Sequence, residues 1–440
     1  MTPVAGVSSG RIAGLALPAL VVLAAEPLYL LVDTAVVGHL GRTQLAALAL
    51  GGGVMGLATW LGTVLAYGTT GRSARRFGAG ERAAAVGEGI QASWVAVGLG
   101  LVMALAAQVA AVPLTRALAG GDGEVARAAA DWLRIAAIGA PGLMLVMAGH
   151  GWMRGVQDAR RPMWYVLGAN AFSAVLCPLL VYPAGLGLSG SAIANVIAQT
   201  LGAALFVRAL VAERVPLAPH AATLRGQLMV NRDLLVRGAA FQACFLSAAA
   251  VAARFGAAAL GAHQIALQLW MFCALALDAV AIAAQSLVGA TLGAGDTEAA
   301  RHTAWRVTRV GALGGVAFGL AIAAGTYALP RLFTSDPAVQ GQALVAWPWF
   351  VAMQPLAGVV FALDGVLIGA GDVRFMRDLT LVAGLGFFLP SIWLAYALDL
   401  GLGGVWAGLT IFIVVRLVGM VVRVRGHRWA ASGAVHPRRP

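Results

Sequence analysis

Four carboxylic acids, Glu26, Asp33, Asp278 and Asp364, stand inside long apolar runs of a 440-residue chain. A carboxylate near the centre of a bilayer costs about 2.5 to 3.5 kcal/mol on insertion scales, so acids in such runs mark places where charge or protons are handled. Glu26 and Asp33 are seven residues apart. On a helix that is nearly two turns, which puts both on one face about 10 Å apart along the axis. Between them Pro27 removes a backbone donor and leaves the carbonyl of Leu23 without its usual partner, so a hinge is expected here. Low dielectric disfavours a charged carboxyl group, and an acid that alternates between dry and wet surroundings therefore takes up and releases a proton. Asp33, in the outer half of its helix, is expected to bind a driving proton from outside, to compete with a cationic substrate for one cavity, and to move with the bending helix. Glu26 is the second proton-coupling candidate.

Other polar residues in apolar runs are candidates for a substrate cavity: Asn170, Asn195, Gln199, Gln264, Gln268, Asp278 and Gln285. Asn195 and Gln199 share a helix face at i and i+4. Each is also a candidate for ordinary interhelical hydrogen bonding, worth about 0.6 kcal/mol. Met271 and Met353 suit a pliable apolar wall. Asp364, His150, Ser173 and Cys177 form a secondary group. Cys177, Cys244 and Cys273 fall in apolar runs without metal-ligand spacing and read as small buried hydrophobes. Neither a phosphate-binding loop nor HExxH nor a nucleophile elbow occurs, so the sequence points to no enzyme, no resident cofactor or metal, and no ATP-driven step.

These residues must be positioned by membrane helices. Hydrophobic residues make up 60% of the chain and charged residues 11%, against roughly 25% charged in a soluble domain. Runs of about 20 apolar residues predict spans near 12–37, 45–67, 86–112, 132–151, 163–182, 192–211, 239–253, 260–287, 307–329, 345–369, 379–398 and 405–422. The first run is long enough to span and has no convincing cleavage site, so a removable signal peptide is not expected. The net charge of +12 is carried entirely by Arg, spread over alternate loops. That spacing argues against a nucleic-acid surface and, by the positive-inside rule, for two cytoplasmic termini. Inner loops hold Arg72, Arg75, Arg76 and Arg82, then Arg154, Arg160 and Arg161, and later Arg374 and Arg377.

The chain also repeats itself. Gly41 aligns with Gly256, and Phe77-Gly-Ala-Gly-Glu81 with Leu292-Gly-Ala-Gly-Asp296, at an offset of 215; Gly155, Asp158 and Arg160 align with Gly369, Asp372 and Arg374 at 214. Six spans per half predict an all-α polytopic membrane protein, twelve transmembrane helices in two parallel six-helix bundles with a pseudo-two-fold axis along the membrane normal. The expected parts are an N-terminal lobe over 1–211, a cytoplasmic linker over 212–237 whose Leu224, Leu228 and Leu235 suit a short interfacial helix, a C-terminal lobe over 238–424, and a basic tail over 425–440.

Three stretches resemble the MATE (multidrug and toxic compound extrusion) exporters, and specifically their DinF-like branch. Glu26-Pro-Leu-Tyr-Leu-Leu-Val-Asp-Thr-Ala-Val-Val-Gly-His-Leu-Gly41 resembles that branch's first-helix motif, and Asp278-Ala-Val-Ala-Ile-Ala-Ala-Gln-Ser-Leu-Val-Gly289 its eighth. Asp364-Gly-Val-Leu-Ile-Gly-Ala-Gly-Asp372 is similar to the tenth. The resemblance implies export of cationic or amphipathic compounds against proton or sodium entry, with the acid at Asp33 central. Many relatives carry an Asn and an Asp before the fifth-helix Pro; those positions here are Ser173 and Cys177, ahead of Pro178. The network the resemblance implies is therefore short of one acid, a part left open to Glu26. The seventh-helix acid of NorM-type relatives is absent too. Sodium needs several oxygen ligands together, so protons are favoured.

The expectation is a secondary active multidrug exporter, driven by the proton gradient and working by alternating access, monomeric and multi-pass in the plasma (inner) membrane. Its partners would be small-molecule substrates, protons and the lipid bilayer, with no nucleic acid. The alternatives are a lipid-linked precursor flippase of the same superfamily and a sodium-coupled exporter.

Overall fold

In a bilayer a chain must satisfy its own backbone, and helices do so within one segment. The computed structural model of the chain describes residues 8–434, and the apolar runs within it are helical. Arg438 and Arg439, at the end of the expected basic tail, lie outside the described residues. Eleven described helices are long and apolar enough to cross a membrane, and one bent pair adds a twelfth.

The chain folds as two units, each with six of these spans. One unit is Leu17–Asn231. It contains most of α1 (Ser9–Gly38), then α2 (Arg42–Gly78), α3 (Arg82–Leu118), the bent pair α4 (Gly123–Ala137) and α5 (Ala140–Gly155), α6 (Arg160–Val181) and α7 (Gly187–Ala212). The fourth span, expected as one run over 132–151, is thus two helices meeting at 51°. Gly139 ends the first with a turn onto the carbonyl of Ala136, and Pro141 stands in the opening turn of the second, where its missing N–H costs nothing.

The other unit runs from Arg232 onward and takes in the first turns of α1. It contains most of α8 (Ala221–Arg254), then α9 (Ala257–Gly293), α10 (Thr297–Ala324), the short α11 (Ala328–Phe333), α12 (Pro337–Gly369), α13 (Val373–Leu381), α14 (Leu389–Ala397) and α15 (Gly401–Arg425). Only residues 213–220 of the expected linker are non-helical; Leu224, Leu228 and Leu235 belong to α8, one continuous helix with the seventh span and not a separate interfacial piece. Between α13 and α14 the ladder widens into a π-helical turn over Val382–Phe388. Pro390 has no N–H to continue an α-helical ladder, and the N–H of Leu389 bonds the carbonyl of Gly384, five residues back.

The repeat seen in the sequence has a geometric counterpart inside each unit. Gly41 and Gly256 precede the equivalent helices α2 and α9 at φ 129° and 105°, a backbone region that side chains disfavour. A Cβ on Gly151 of α5 would stand 2.9 Å from the carbonyl oxygen of Ala66 on α2; one on Gly365 of α12 would stand 2.2 Å from that of Ala281 on α9. Both pairs obey the sequence offset. Close helix contact through small residues is how packing replaces the hydrophobic effect in lipid. Gly365→Ala is therefore expected to destabilise the Arg232 unit by about 1 to 3 kcal/mol, seen as a lower thermal unfolding midpoint in detergent. An unchanged midpoint would show that α9 and α12 are not held in register by this contact.

Candidate functional site

The first helix brings two acids to the Leu17–Asn231 unit. Glu26, Tyr29 and Asp33 follow one another at spacings of three and four, a single helix face. Glu26 is half-buried and accepts a hydrogen bond from Thr59 Oγ1 on α2 at 3.1 Å. It borders a cavity of about 1090 Å³, open mouth included, whose walls come from α1, α2, α5, α6 and α7. Of the residues expected to line a cavity, Asn170, Asn195 and Gln199 do so, joined by His150 from the secondary group. Gln199 donates to Asn195 Oδ1 at 2.5 Å across one helical turn, so the expected shared face is a bonded pair. Tyr165 and Phe206 make an aromatic wall, ring centroids 5.3 Å apart and nearly perpendicular.

Asp33 is not on the cavity wall. It is 1% exposed, in a separate packed site where the Cys177 thiol on α6 donates to Oδ1 at 3.3 Å. Ser191 on α7 is also within hydrogen-bonding reach of the carboxylate, and its hydroxyl accepts from Trp132 Nε1 at 3.3 Å. Ser173, one turn before Cys177, donates to the carbonyl of Ala194 at 3.3 Å and lies beside Tyr29. The two secondary candidates of the sixth described helix thus belong to the Asp33 site. Val181, Ala194, Leu40 and Leu180 pack round Cys177 and seal that end. Pro27 is on the exposed side of α1, which is continuous from Ser9 to Gly38.

Gln264, Gln268, Met271, Asp278, Gln285, Met353 and Asp364 are in the Arg232 unit. Gln264, Gln268 and Met271 are exposed, Asp278 is half-buried, and Gln285 and Met353 are buried in helix packing. Asp364 is an ion-pair hub: Arg416 Nη2 on α15 reaches both its oxygens at 2.8 and 2.7 Å, and Arg237 Nη2 on α8 reaches Oδ2 at 2.6 Å.

Three features escaped the sequence reading. Arg416 sits in the middle of the last apolar run, where a cation requires a carboxylate nearby, and that signal was present. Glu88 lies just inside the third run and is buried, held bidentately by Arg72 at 2.7 and 2.9 Å, while Gln227 at the start of α8 donates to its backbone carbonyl at 2.9 Å. Arg154, assigned to a loop, is buried at the end of α5 and lines the cavity.

This arrangement can enclose an amphipathic molecule beside one acid and hold a second acid dry a short way along the same helix. The MatE family profile matches residues 18–179 and 234–403. Protein DETOXIFICATION 44, chloroplastic, of Arabidopsis thaliana is 33% identical over 425 residues, 93% of this chain and 80% of that protein. DNA damage-inducible protein F of Escherichia coli is 30% identical over 424 residues, 94% of this chain and 91% of its own length. Among solved structures, a MATE crystal structure in the bent conformation superposes with a TM-score of 0.88 at 23% identity, covering 94% of this chain and 95% of that one. Profile, full-length relatives and fold agree that the chain belongs to the MATE family of membrane transporters.

Proposed function

We propose that this transporter exports cationic or amphipathic small molecules in exchange for protons, as a monomer spanning the plasma membrane with both termini cytoplasmic. Residues 1–211 and 238–424 act as its two transport lobes, 212–237 joins them, and 425–440 is a basic cytoplasmic tail. The observation that carries the reading is the order of groups on α1. Glu26 faces the cavity where a cation would lie, and Asp33, nearly two turns along the same helix face, is enclosed by the neutral donors Cys177 and Ser191. A carboxyl group with only neutral partners changes its proton occupancy when its surroundings change from dry to wet. A thiol is a soft ligand and a poor substitute for the hard oxygens a sodium ion requires, which favours the proton. Bending of α1 about Pro27 would supply the change of surroundings.

Everted vesicles carrying the chain and a preformed proton gradient test this. Adding members of a cationic dye panel is expected to dissipate the gradient and drive dye uptake into the vesicles, equally in sodium-free buffer. A panel in which no compound moves or releases protons would sink the multidrug reading, and dependence on sodium would sink the proton.

A further inference from the structure

The cavity of the Leu17–Asn231 unit has opposite chemistry at its two ends. Glu26 is the one carboxylate among its described lining residues, and Arg154 the one guanidinium. His150, one turn before Arg154 on α5, is 3% exposed, and its Nε2 is buried with no hydrogen-bond partner. Its ring is set edge-on to Phe206 at 5.2 Å, so its aim is held by packing. Leaving a buried polar atom unpartnered is costly, because it has given up water without a replacement bond. In a cavity wall, a ligand atom can supply that bond.

The distance between the ends follows from helix geometry. Thr59 marks the Glu26 end of α2, and Gly151, next to His150, packs against Ala66 of the same helix. Seven residues of helix separate those levels, about 10 Å. We propose that His150 and Arg154 form a subsite for an anionic oxygen, and that the favoured substrates are amphoteric amphiphiles carrying an ammonium and a carboxylate about 10 Å apart. The ammonium sits at Glu26, the carboxylate accepts from His150 Nε2–H and from the Arg154 guanidinium, and the apolar body lies against Phe206 and Tyr165. The inference rests on the export reading and specifies its substrate class.

Two probes separate the ends: a biphenyl with an aminomethyl group at one para position and a carboxylate at the other, and its methyl ester. Calorimetry on the purified full-length chain in detergent is expected to give the acid a Kd about tenfold below that of the ester, about 1.4 kcal/mol. His150→Phe keeps the ring packed on Phe206 but removes the nitrogen; it is expected to weaken binding of the acid more than of the ester and so to shrink the difference, the Arg154 contact to the carboxylate remaining. His150→Gln, which restores a donor, recovers part of the preference. Equal binding of the two probes by the unsubstituted chain overturns the subsite, as does an equal loss for both probes in His150→Phe. Vesicle transport of the same probes is read separately. Preferential binding of the acid without movement of either probe leaves the subsite standing and sinks the export reading.

Discussion

Asp33→Asn is expected to reduce proton-driven export to the background of vesicles lacking the protein while leaving dye binding in the cavity measurable. Asn has nearly the size of Asp and can still bond Ser191, so the packing round Cys177 and Val181 is kept. What is lost is the carboxyl group that carries the proton in the proposed exchange. Removing a charge from a site that is 1% exposed also relieves a desolvation cost, so thermal stability is expected to hold or rise. That result would separate a coupling role from a structural one, because a carboxylate that merely ties helices together would lower stability when neutralised. Cys177→Ser retains a donor toward Oδ1 and should preserve transport, whereas Cys177→Ala, which leaves Ser191 alone on the carboxylate, should shift the pH profile of transport. Undiminished uptake by Asp33→Asn, measured with a pH gradient of either sign, removes Asp33 from the mechanism.

The second large effect is expected at Asp364, and on stability. Two guanidinium groups converge on one carboxylate there, with Arg416 2% exposed beside the charged groups of Asp364 and Arg237. Phe241 covers both cations, at 4.7 Å from Arg416 and 5.1 Å from Arg237, and Phe412 lies 5.6 Å from Arg416. The rings soften the burial of positive charge, each contact contributing on the order of 0.5 to 2 kcal/mol, but they do not replace an anion. Asp364→Leu leaves two like charges side by side in a low dielectric and should cost about 3 to 5 kcal/mol. Arg416→Met leaves a balanced Arg237–Asp364 pair and should cost much less. The triple variant with Leu at 237, 364 and 416 has no stranded charge and should recover most of the loss. Thermal unfolding in detergent, followed by size-exclusion chromatography, orders the three. If Asp364→Leu unfolds no earlier than Arg416→Met, the carboxylate is not the hub.

The contrast between Asp33 and Asp364 shows what was legible in the chain. Both read as acids in apolar runs, and the expense of such acids marks them in any sequence. Their spacing from neighbours on the same helix was legible too, because a helix has one period; Glu26, Tyr29 and Asp33 had to share a face, and Asn195 had to meet Gln199. The six-plus-six repeat was legible because glycines at equivalent positions perform equivalent backbone tasks, as Gly41 and Gly256 do. The break between α4 and α5 was not, since Gly139 and Pro141 are tolerated inside a membrane run and the bend depends on what packs against it.

Hydrophobic length and periodicity by themselves determined the twelve spans, four of the acids inside them and the helix face each occupies, because these are properties of single helices in lipid. Which of those acids is sealed with neutral donors and which is clamped by arginines was decided only by tertiary structure. Cys177 and Ser191 come to Asp33 from α6 and α7, and Arg237 and Arg416 come to Asp364 from α8 and α15. A carboxyl group's role depends on the charges within a few ångströms, and those charges arrive from residues far away in the chain.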